Sequence, residues 1–173
     1  TISRWRKKQQ ISGESSLDQI RWAEDSARVA ITAWGDVGDG NVVWSFHAHI
    51  IDVTTGRRLL KPKLDGFRHR SNVTALAWRP GGTALACGGS QGLIDVLDVD
   101  SRRLRVSSKP HNAPITALTW SPDGRQLASA SRDGTVKVLG ALGAEELLTF
   151  PFEGDSPTHL TWSLDGWRLA AAT

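Results

Sequence analysis

The chain lacks several features that would place it in other classes of protein. It has one cysteine, Cys87, among 173 residues, so it cannot form an internal disulfide, and an intracellular setting, cytoplasmic or nuclear, is the simpler expectation. No apolar run of about 18 residues occurs, so no membrane span is predicted. The basic start over residues 4–8 has no apolar stretch behind it, and we therefore expect no signal peptide.

Motifs for catalysis and for metal or cofactor binding are also missing. The glycine-rich stretches have neither the lysine of a phosphate-binding loop nor a following helix, and residues 36–40 lack the ligand order of a calcium loop. The serine in Gly154-Asp-Ser-Pro157 has no histidine placed by a motif to activate it. His47 and His49 share one face of a presumed strand but have no identifiable third ligand. The sequence therefore predicts a protein that is not an enzyme and that has no metal or cofactor.

The chain does contain an internal repeat. The hexapeptides Val73-Thr-Ala-Leu-Ala-Trp78, Ile115-Thr-Ala-Leu-Thr-Trp120 and Pro157-Thr-His-Leu-Thr-Trp162 end at tryptophans that are 42 residues apart. After each tryptophan come a turn sequence and then a leucine, at Leu85, Leu127 and Leu169. A period in the low forties is the length that four strands of about five residues and their turns require. Each unit is predicted to begin with a β-hairpin, and the chain is predicted to be all-β.

The segment Trp120-Ser-Pro-Asp-Gly-Arg-Gln-Leu-Ala-Ser-Ala-Ser-Arg-Asp-Gly-Thr-Val-Lys-Val-Leu139 resembles a WD40 repeat. The resemblance implies a WD40-type β-propeller, or part of one, built of four-stranded antiparallel blades with strands a to d running outward from a central channel. It also implies a rigid platform that assembles other proteins through loops held by the scaffold.

In that family a His, a Ser or Thr, an Asp and a Trp hydrogen-bond across each blade, and this chain retains the set in part. The resemblance assigns these roles to His69, His111, Ser129, Asp133 and Trp5. Elsewhere Cys87 and Gln91 replace the serine and the aspartate, and Leu97 and Leu139 replace the tryptophan of strand c. The tryptophans of strand a, which are Trp22, Trp78, Trp120 and Trp162, are predicted to be core residues. We therefore expect the blades to be held mainly by apolar packing.

The repeat also predicts how the chain is divided into blades. Residues 17–62 form a divergent blade, 73–107 and 115–150 form two regular blades, and 157–173 form the a–b hairpin of another. Residues 1–16 are predicted to be strands c and d of a blade whose a and b strands lie elsewhere, with 157–173 as a candidate. The chain thus enters at strand c and ends after strand b. Its ring closes on its own ends, or is completed by the rest of a longer chain, which the lack of methionine favours, or by a second copy.

The divergent blade carries the predicted binding surface. Its Trp22 lies 56 residues before Trp78, and ten of the extra residues fall between strands b and c. The lengthened hairpin contains Trp34, Trp44 and Phe46, and the basic loop on the same rim contains Arg68, Arg70 and Asn72. Aromatic and basic residues side by side are typical of interface hot spots. The alternative is that the aromatic residues pack inward.

Further candidate contacts are Asn112, Arg132 and Asp155, on equivalent rims. The expected partners are other proteins with an acidic or apolar epitope. The alternative is a polyanion or a nucleic acid bound by the loop 61–70, which contains Lys61, Lys63, Arg68 and Arg70. Nucleic acid is disfavoured because the chain has no recognisable base-reading module. The pairs Arg57-Arg58, Arg102-Arg103 and Glu145-Glu146 are interpreted as a solvated outer edge.

Overall fold

The computed structural model describes residues 16–35, 45–60, 72–141 and 145–173. Every regular element within these ranges is a β-strand. The strands are β1 (Ser16–Trp22), β2 (Arg28–Gly35), β3 (Ser45–Asp52), β4 (Arg58–Leu60), β5 (Val73–Trp78), β6 (Ala84–Gly89), β7 (Ile94–Asp98), β8 (Arg103–Ser108), β9 (Ile115–Trp120), β10 (Gln126–Ser131), β11 (Thr135–Gly140), β12 (Glu146–Pro151), β13 (His159–Trp162) and β14 (Leu169–Ala172).

The strands form a series of antiparallel meanders. In the described part of the chain, three sheets have four strands each, β1 to β4, β5 to β8 and β9 to β12, and β13 pairs with β14 in a two-stranded sheet. The first strands of successive sheets lie against each other, β1 on β5, β5 on β9 and β9 on β13. The all-β class and the four-stranded antiparallel blades predicted from the repeat are confirmed. No helix in the described ranges is long and apolar enough to cross a membrane.

Burial is greatest in the middle strands of a blade and lowest in the outermost strand. All residues of β6 and β7 are buried, whereas β8 alternates between exposed and half-buried positions. Strands with both faces buried need small or apolar side chains on both faces, as Ala84-Leu-Ala-Cys-Gly-Gly89 provides. The outermost strands begin at Arg58, Arg103 and Glu146, so the paired charges do open the outer edge as the sequence analysis interpreted them.

The hairpin turns after Trp120 and Trp162 use the same local chemistry, with an aspartate that accepts from a serine hydroxyl. In the second regular blade, the Asp123 carboxylate accepts hydrogen bonds from the Ser121 hydroxyl at 2.6 Å and from the Arg125 N–H at 2.9 Å. Gly124 has φ +67°, a left-handed conformation that glycine adopts without steric cost. The turn sequence Pro-Asp-Gly therefore fixes the hairpin that joins strand a to strand b.

The core lies between the blades rather than inside any one of them. One cluster joins β5 to β8 with β9 to β12 through Ala86, Ile94 and Val96 on one side and Ile115 and Leu127 on the other. A second cluster joins the first sheet to the second and includes Ala30, Ile50, Leu76 and Leu85. Removing this apolar area from water stabilises each blade only when its neighbour is present.

Two hydrogen bonds recur at each junction between blades, one near each end of the inner strands. Near one end, the indole N–H of each strand-a tryptophan donates to a backbone carbonyl of the preceding blade. These bonds are Trp78 to Arg21 at 2.9 Å, Trp120 to Ala77 at 3.2 Å and Trp162 to Thr119 at 3.4 Å. Near the other end, a polar side chain donates to a backbone carbonyl of the following blade. These bonds are Gln19 to Thr74, Thr74 to Ile115 and Thr116 to Pro157. The acceptors are backbone groups in all six bonds.

The hairpin of β2 and β3 is longer than those of the regular blades. Its ladder runs without a register shift from Arg28 opposite Asp52 to Gly35 opposite Ser45. A continuous ladder keeps the alternation of faces along both strands. The extra length is therefore added at the end that joins β2 to β3.

Candidate functional site

The candidate site is the rim formed by the b–c turns and the d–a connections, called here the loop rim. In the regular blades it consists of residues 90–93, 109–114, 132–134 and 152–158. Backbone bonds hold the two kinds of loop together, since the Phe152 N–H donates to the Gly134 carbonyl at 2.8 Å and the Arg132 N–H to the Pro114 carbonyl at 2.9 Å. In the first sheet the ladder of β2 and β3 is described as far as Gly35 opposite Ser45, on the side of its b–c connection.

A buried polar network supports the loop rim of the blade β9 to β12. His111 Nδ1 lies 3.0 Å from an Asp133 carboxylate oxygen, and its Nε2 lies 2.8 Å from the Ser129 hydroxyl. The Thr135 hydroxyl donates to Asp133 at 2.6 Å, and the backbone N–H of Asn112 donates to the other carboxylate oxygen at 3.0 Å. His111, Ser129 and Asp133 were assigned to one network from the resemblance, and they do meet. Leu139 occupies the position of the family's tryptophan and belongs to the apolar core.

The environment of the network determines its charge state. Burial lowers the pKa of His111, and the neighbouring Asp133 carboxylate opposes this effect without reversing it. Burial alone would raise the pKa of Asp133, but hydrogen bonds from Thr135 and Asn112 and the charge of His111 hold it below its usual value. Asp133 is therefore ionised at neutral pH, and His111 is neutral there with Nδ1–H donating to Asp133 and Nε2 accepting from Ser129.

The preceding regular blade has a different buried polar pair. Cys87 and Asp95 are directly opposite in the ladder of β6 and β7 and are fully buried. Burial raises the pKa of the Cys87 thiol, and the charge of Asp95 raises it further. The thiol is therefore not a nucleophile at neutral pH. Asp95 was missed by the sequence analysis, because the next blade has Lys137 at this position and the comparison of repeats does not mark it.

The loop rim presents four predicted contact residues that the structure describes. Asn112 and Arg132 have exposed side chains, whereas their backbone N–H groups are fixed by Asp133 and Pro114. Asp155 is exposed in the connection from β12 to β13. Asn72 is half-buried just before β5, and its carbonyl accepts a hydrogen bond from the Ser90 N–H at 2.9 Å. The structure brings Asn112 and Arg132 together on one supported part of the rim.

The long hairpin is described only along its strands. Trp34 and Phe46 are directly opposite each other in the ladder, one pair before its last described pair. His47 and His49 lie opposite Ala33 and Ile31. Trp44, Arg68, Arg70, Lys61, Lys63, His69 and Trp5 lie outside the described residues. Within the described ranges no group of three or more His, Cys, Asp or Glu residues could hold a metal ion.

The strand-a tryptophans differ in burial. Trp120 is 6% exposed and belongs to the core, as predicted. Trp78 and Trp162 are half-buried, and each donates its indole N–H to the preceding blade. Trp22 is 60% exposed, so the prediction that it is a core residue is wrong for this chain by itself. The reason is that a strand-a tryptophan is covered by the preceding blade, and Trp22 lies in the first described blade.

Comparisons with known proteins agree with the geometry. The family model "WD domain, G-beta repeat" matches residues 102–138, and the model "Anaphase-promoting complex subunit 4 WD40 domain" matches residues 39–113. A chain in the crystal structure of the mitotic checkpoint complex is similar in fold, with a TM-score of 0.73, 22% sequence identity and coverage of 92% of this chain and 47% of that one. This chain thus spans about half the length of that chain. No significant match is found among curated proteins.

The repeating four-stranded unit is therefore a WD40 repeat, and the fold is that of a WD40-type β-propeller or part of one. The two family models together match residues 39–138, more than half of the chain. The chain belongs to the WD40-repeat family. WD40 propellers generally mediate protein–protein interactions and the assembly of complexes, and they generally do so without catalysis.

Proposed function

We propose that this chain is a non-catalytic, intracellular scaffold that binds other proteins through its loop rim. The observation that carries the proposal is the placement of Asn112 and Arg132. Both side chains are exposed, while the buried network of His111, Ser129 and Asp133 fixes the turns that bear them. Binding to a fixed surface costs little conformational entropy, so a supported rim suits recognition better than a free loop.

The charges of the described rim favour a protein as the partner. Lys109 and Arg132 are exposed together with Glu153 and Asp155, so charges of both signs are present on this rim. A surface that binds polyanions needs clustered positive charge, because its affinity comes mainly from phosphate contacts. A mixed surface instead suits a protein epitope with its own pattern of charge and apolar groups.

The long hairpin is proposed as the other part of the same surface. Trp34 and Phe46 face each other across the ladder near the end of the hairpin. Trp44, Arg68 and Arg70 are further proposed contacts, and Asn72 and Asp155 extend the surface along the rim. Aromatic residues and arginines carry a large share of the energy at protein interfaces. Trp44 is the proposed hot spot.

The test is capture of binding proteins from a cell extract, followed by their identification and by affinity measurement with the purified partner. Trp44→Ala and Arg132→Ala are the test variants, and each is expected to weaken binding of that partner at least about 10-fold. Arg125→Ala is the matched control, because the Arg125 side chain is 84% exposed in an a–b turn on the opposite rim. Thermal unfolding confirms that each variant is folded. Equal affinity for wild type and both test variants would reject this surface.

The alternative partner, a polyanion, is separated from a protein by salt dependence. Charge reversal at Lys61, Lys63, Arg68 and Arg70 removes the basic loop proposed for that function. If the chain binds heparin or single-stranded DNA, affinity should fall steeply with salt and be lost in the charge-reversed variant. Binding of the captured protein that changes little between low and physiological salt supports the protein-binding function.

A further inference from the structure

The rim opposite to the loop rim, called here the turn rim, carries two arginines that lie over tryptophans. The turn rim consists of a–b and c–d turns, which are residues 23–27, 53–57, 79–83, 99–102 and 121–125. The guanidinium carbon of Arg28 lies 6.0 Å from the centre of the Trp78 ring, and that of Arg79 lies 5.8 Å from the centre of the Trp120 ring. In both cases the arginine belongs to one blade and the strand-a tryptophan to the next.

The first of these arginines is neutralised by two carboxylates. Arg28 Nε donates to an Asp25 carboxylate oxygen at 2.6 Å, and Nη1 donates to an Asp100 oxygen at 3.0 Å. Asp25 lies in the a–b turn of the same blade, and Asp100 lies in the c–d turn of the next blade. The Arg28 side chain is 17% exposed. A guanidinium taken this far out of water needs such partners, because its N–H donors lose contacts with solvent.

The second arginine has no carboxylate partner among the described residues. Arg79 Nε donates to the Gly124 carbonyl at 2.9 Å, and the four other N–H donors of the guanidinium have no acceptor within the described ranges. The sequence explains the difference from Arg28. The positions equivalent to the two aspartates are Gly81 and Leu142, and neither residue can supply a negative charge. The charge of the half-buried Arg79 is therefore compensated, in this part of the chain, by one ring and one backbone carbonyl.

Arg79 is held in place by its surroundings. It packs so closely on the next a–b turn that a Cβ at Gly124 would lie 3.0 Å from Arg79 Nε and 3.3 Å from its Cγ. Trp120, over which the guanidinium lies, is 6% exposed and belongs to the core. A side chain fixed in this way loses little conformational entropy when it binds a ligand. Its planar fork of donors matches the geometry of a carboxylate.

We propose that Arg79 anchors a second protein-binding site, on the turn rim, and that its ligand is an aspartate or glutamate side chain of a partner protein. The carboxylate of the partner accepts hydrogen bonds from the Nη groups of Arg79, as Asp100 does from Nη1 of Arg28. The partner thus supplies in trans the charge that the first junction supplies from within the chain. The site lies away from the loop rim, so its test does not depend on the function proposed above.

A carboxylate suits this site better than a phosphate group. Phosphate sites combine several cations or free backbone N–H groups. Here the Gly81 N–H already donates to the Glu24 carboxylate at 2.9 Å, and Gly124 presents its carbonyl to Arg79. The neighbouring Asp123 side chain is 58% exposed and would repel a doubly charged phosphate more strongly than a singly charged carboxylate.

The first experiment is a nuclear magnetic resonance titration of the nitrogen-15-labelled chain at constant ionic strength. The probe is N-acetylglutamate amide, and its neutral glutamine counterpart is the matched control ligand. The Arg79 Nε–H signal is assigned by its absence from the spectrum of Arg79→Met. We expect this signal to shift in a saturable manner with the glutamate probe and to stay unchanged with the glutamine probe.

The second experiment selects short random peptides by display on the wild-type chain after depletion on Arg79→Met. Methionine keeps an unbranched apolar side chain near Trp120 and removes the charge. The enriched peptides are expected to contain aspartate or glutamate. Replacing that residue with its amide, or introducing Arg79→Met, should each weaken binding about 10-fold or more, and the two changes together should cost little more than either one.

Two further variants separate a specific contact from general attraction. Arg79→Lys keeps the positive charge and loses the fork of donors, so its affinity for the peptides should be intermediate. Arg125→Ala removes the same charge from the same rim and should bind as wild type, because its side chain is 84% exposed and has no tryptophan beneath it. Thermal unfolding checks that each variant is folded.

Several results would overturn the proposal. Failure of the Arg79 signal to shift, or failure of the display to enrich any peptide, would reject the site. Enriched peptides without acidic residues, or equal losses in Arg79→Met and Arg125→Ala, would show that the contact is not a carboxylate on Arg79. Inorganic phosphate that shifts the Arg79 signal at lower concentration than the glutamate probe would show an anion site of another class.

Discussion

The indole N–H of Trp120 donates to the backbone carbonyl of Ala77, 3.2 Å away in the preceding blade. The same tryptophan packs in the apolar cluster between the two blades, with the Arg79 guanidinium 5.8 Å from the centre of its ring. One side chain thus supplies apolar area, a directional bond and a cation–π contact to a single junction. The junctions to either side repeat the bond with Trp78 and Trp162.

Replacing Trp120 with Phe should separate the hydrogen bond from the apolar contact. We expect Trp120→Phe to lower the free energy of unfolding by about 2 kcal/mol, since a hydrogen bond is lost, the Ala77 carbonyl loses a partner in a buried setting and the smaller ring leaves a void. Trp162→Phe should cost less, because its bond is longer at 3.4 Å and its ring is half-buried. Urea unfolding measures both. Equal losses of stability in the two variants would contradict the expectation that Trp120→Phe costs more than Trp162→Phe.

Gly88 is required by the close approach of the next blade. A Cβ at this position would lie 2.6 Å from Cγ2 of Ile115, closer than two carbons can pack. Gly88→Ala is expected to destabilise the chain by about 1–3 kcal/mol, as overpacking of a core does. Ile115→Ala, which removes Cγ2 and Cγ1, should therefore cost less stability in the Gly88→Ala background than in wild type. If the two substitutions have additive effects in a double-mutant cycle, the contact is not the cause.

The His111 network makes stability depend on pH in a defined direction. Because burial lowers the pKa of His111 from 6.5, the unfolded chain takes up a proton at a higher pH than the folded chain does. His111 therefore contributes a loss of stability as pH falls below about 6.5, and Asp133, whose pKa is also lowered, contributes a further loss below about 3.8. Between pH 7.5 and 5, His111→Gln should lose less stability than wild type.

At pH 7.5 the same variant should be less stable than wild type by about 1–3 kcal/mol, because the buried Ser129 and Asp133 lose their partner. Chemical denaturation at a series of pH values gives both quantities. Arg125→Gln, which removes an exposed charge in an a–b turn away from the network, serves as the control. A His111→Gln profile parallel to that of wild type would show that other groups govern the acid response.

Arg102 has a left-handed backbone, with φ +57° in the turn between β7 and β8. The equivalent residue of the first blade is Gly56, with φ +67°, and both turns are anchored by an aspartate that accepts the preceding N–H, Asp98 from Ser101 and Asp52 from Thr55. Arg102→Gly is expected to stabilise the chain by about 0.5–1 kcal/mol, since glycine adopts this conformation without strain. Arg102→Ala keeps the strain and should show no gain in thermal unfolding.

Much of the fold could be predicted because the repeat is short and regular. Trp78, Trp120 and Trp162 located the ends of three strands, and the turn sequences after them located the hairpins. The sequence analysis could not show where the indole N–H groups point, because their acceptors are backbone carbonyls and any residue can supply one. The exposure of Trp22 was also missed, since burial of this position depends on the preceding blade and not on the strand itself.

The candidate site was predictable only where the family pattern is retained. His111, Ser129 and Asp133 match that pattern, and the structure joins them. Thr135 completes the network through its hydroxyl, and the sequence analysis had not singled it out. No feature of the sequence indicated that Asp95 is buried. Its carboxylate lies opposite Cys87 in one blade, and the next blade has no equivalent pair, so a comparison of the repeats does not reveal it.

The use of backbone acceptors at every junction has a consequence for how such a chain can change its length. A unit that carries the forward hydroxyl of Thr74 or Thr116 and the backward indole of Trp78 or Trp120 brings both of its donors with it. The neighbouring unit needs only its own main chain to receive them. Gene duplication or deletion of a whole 42-residue unit therefore leaves these recurring hydrogen bonds intact, and for them no matched change is needed in the neighbouring unit.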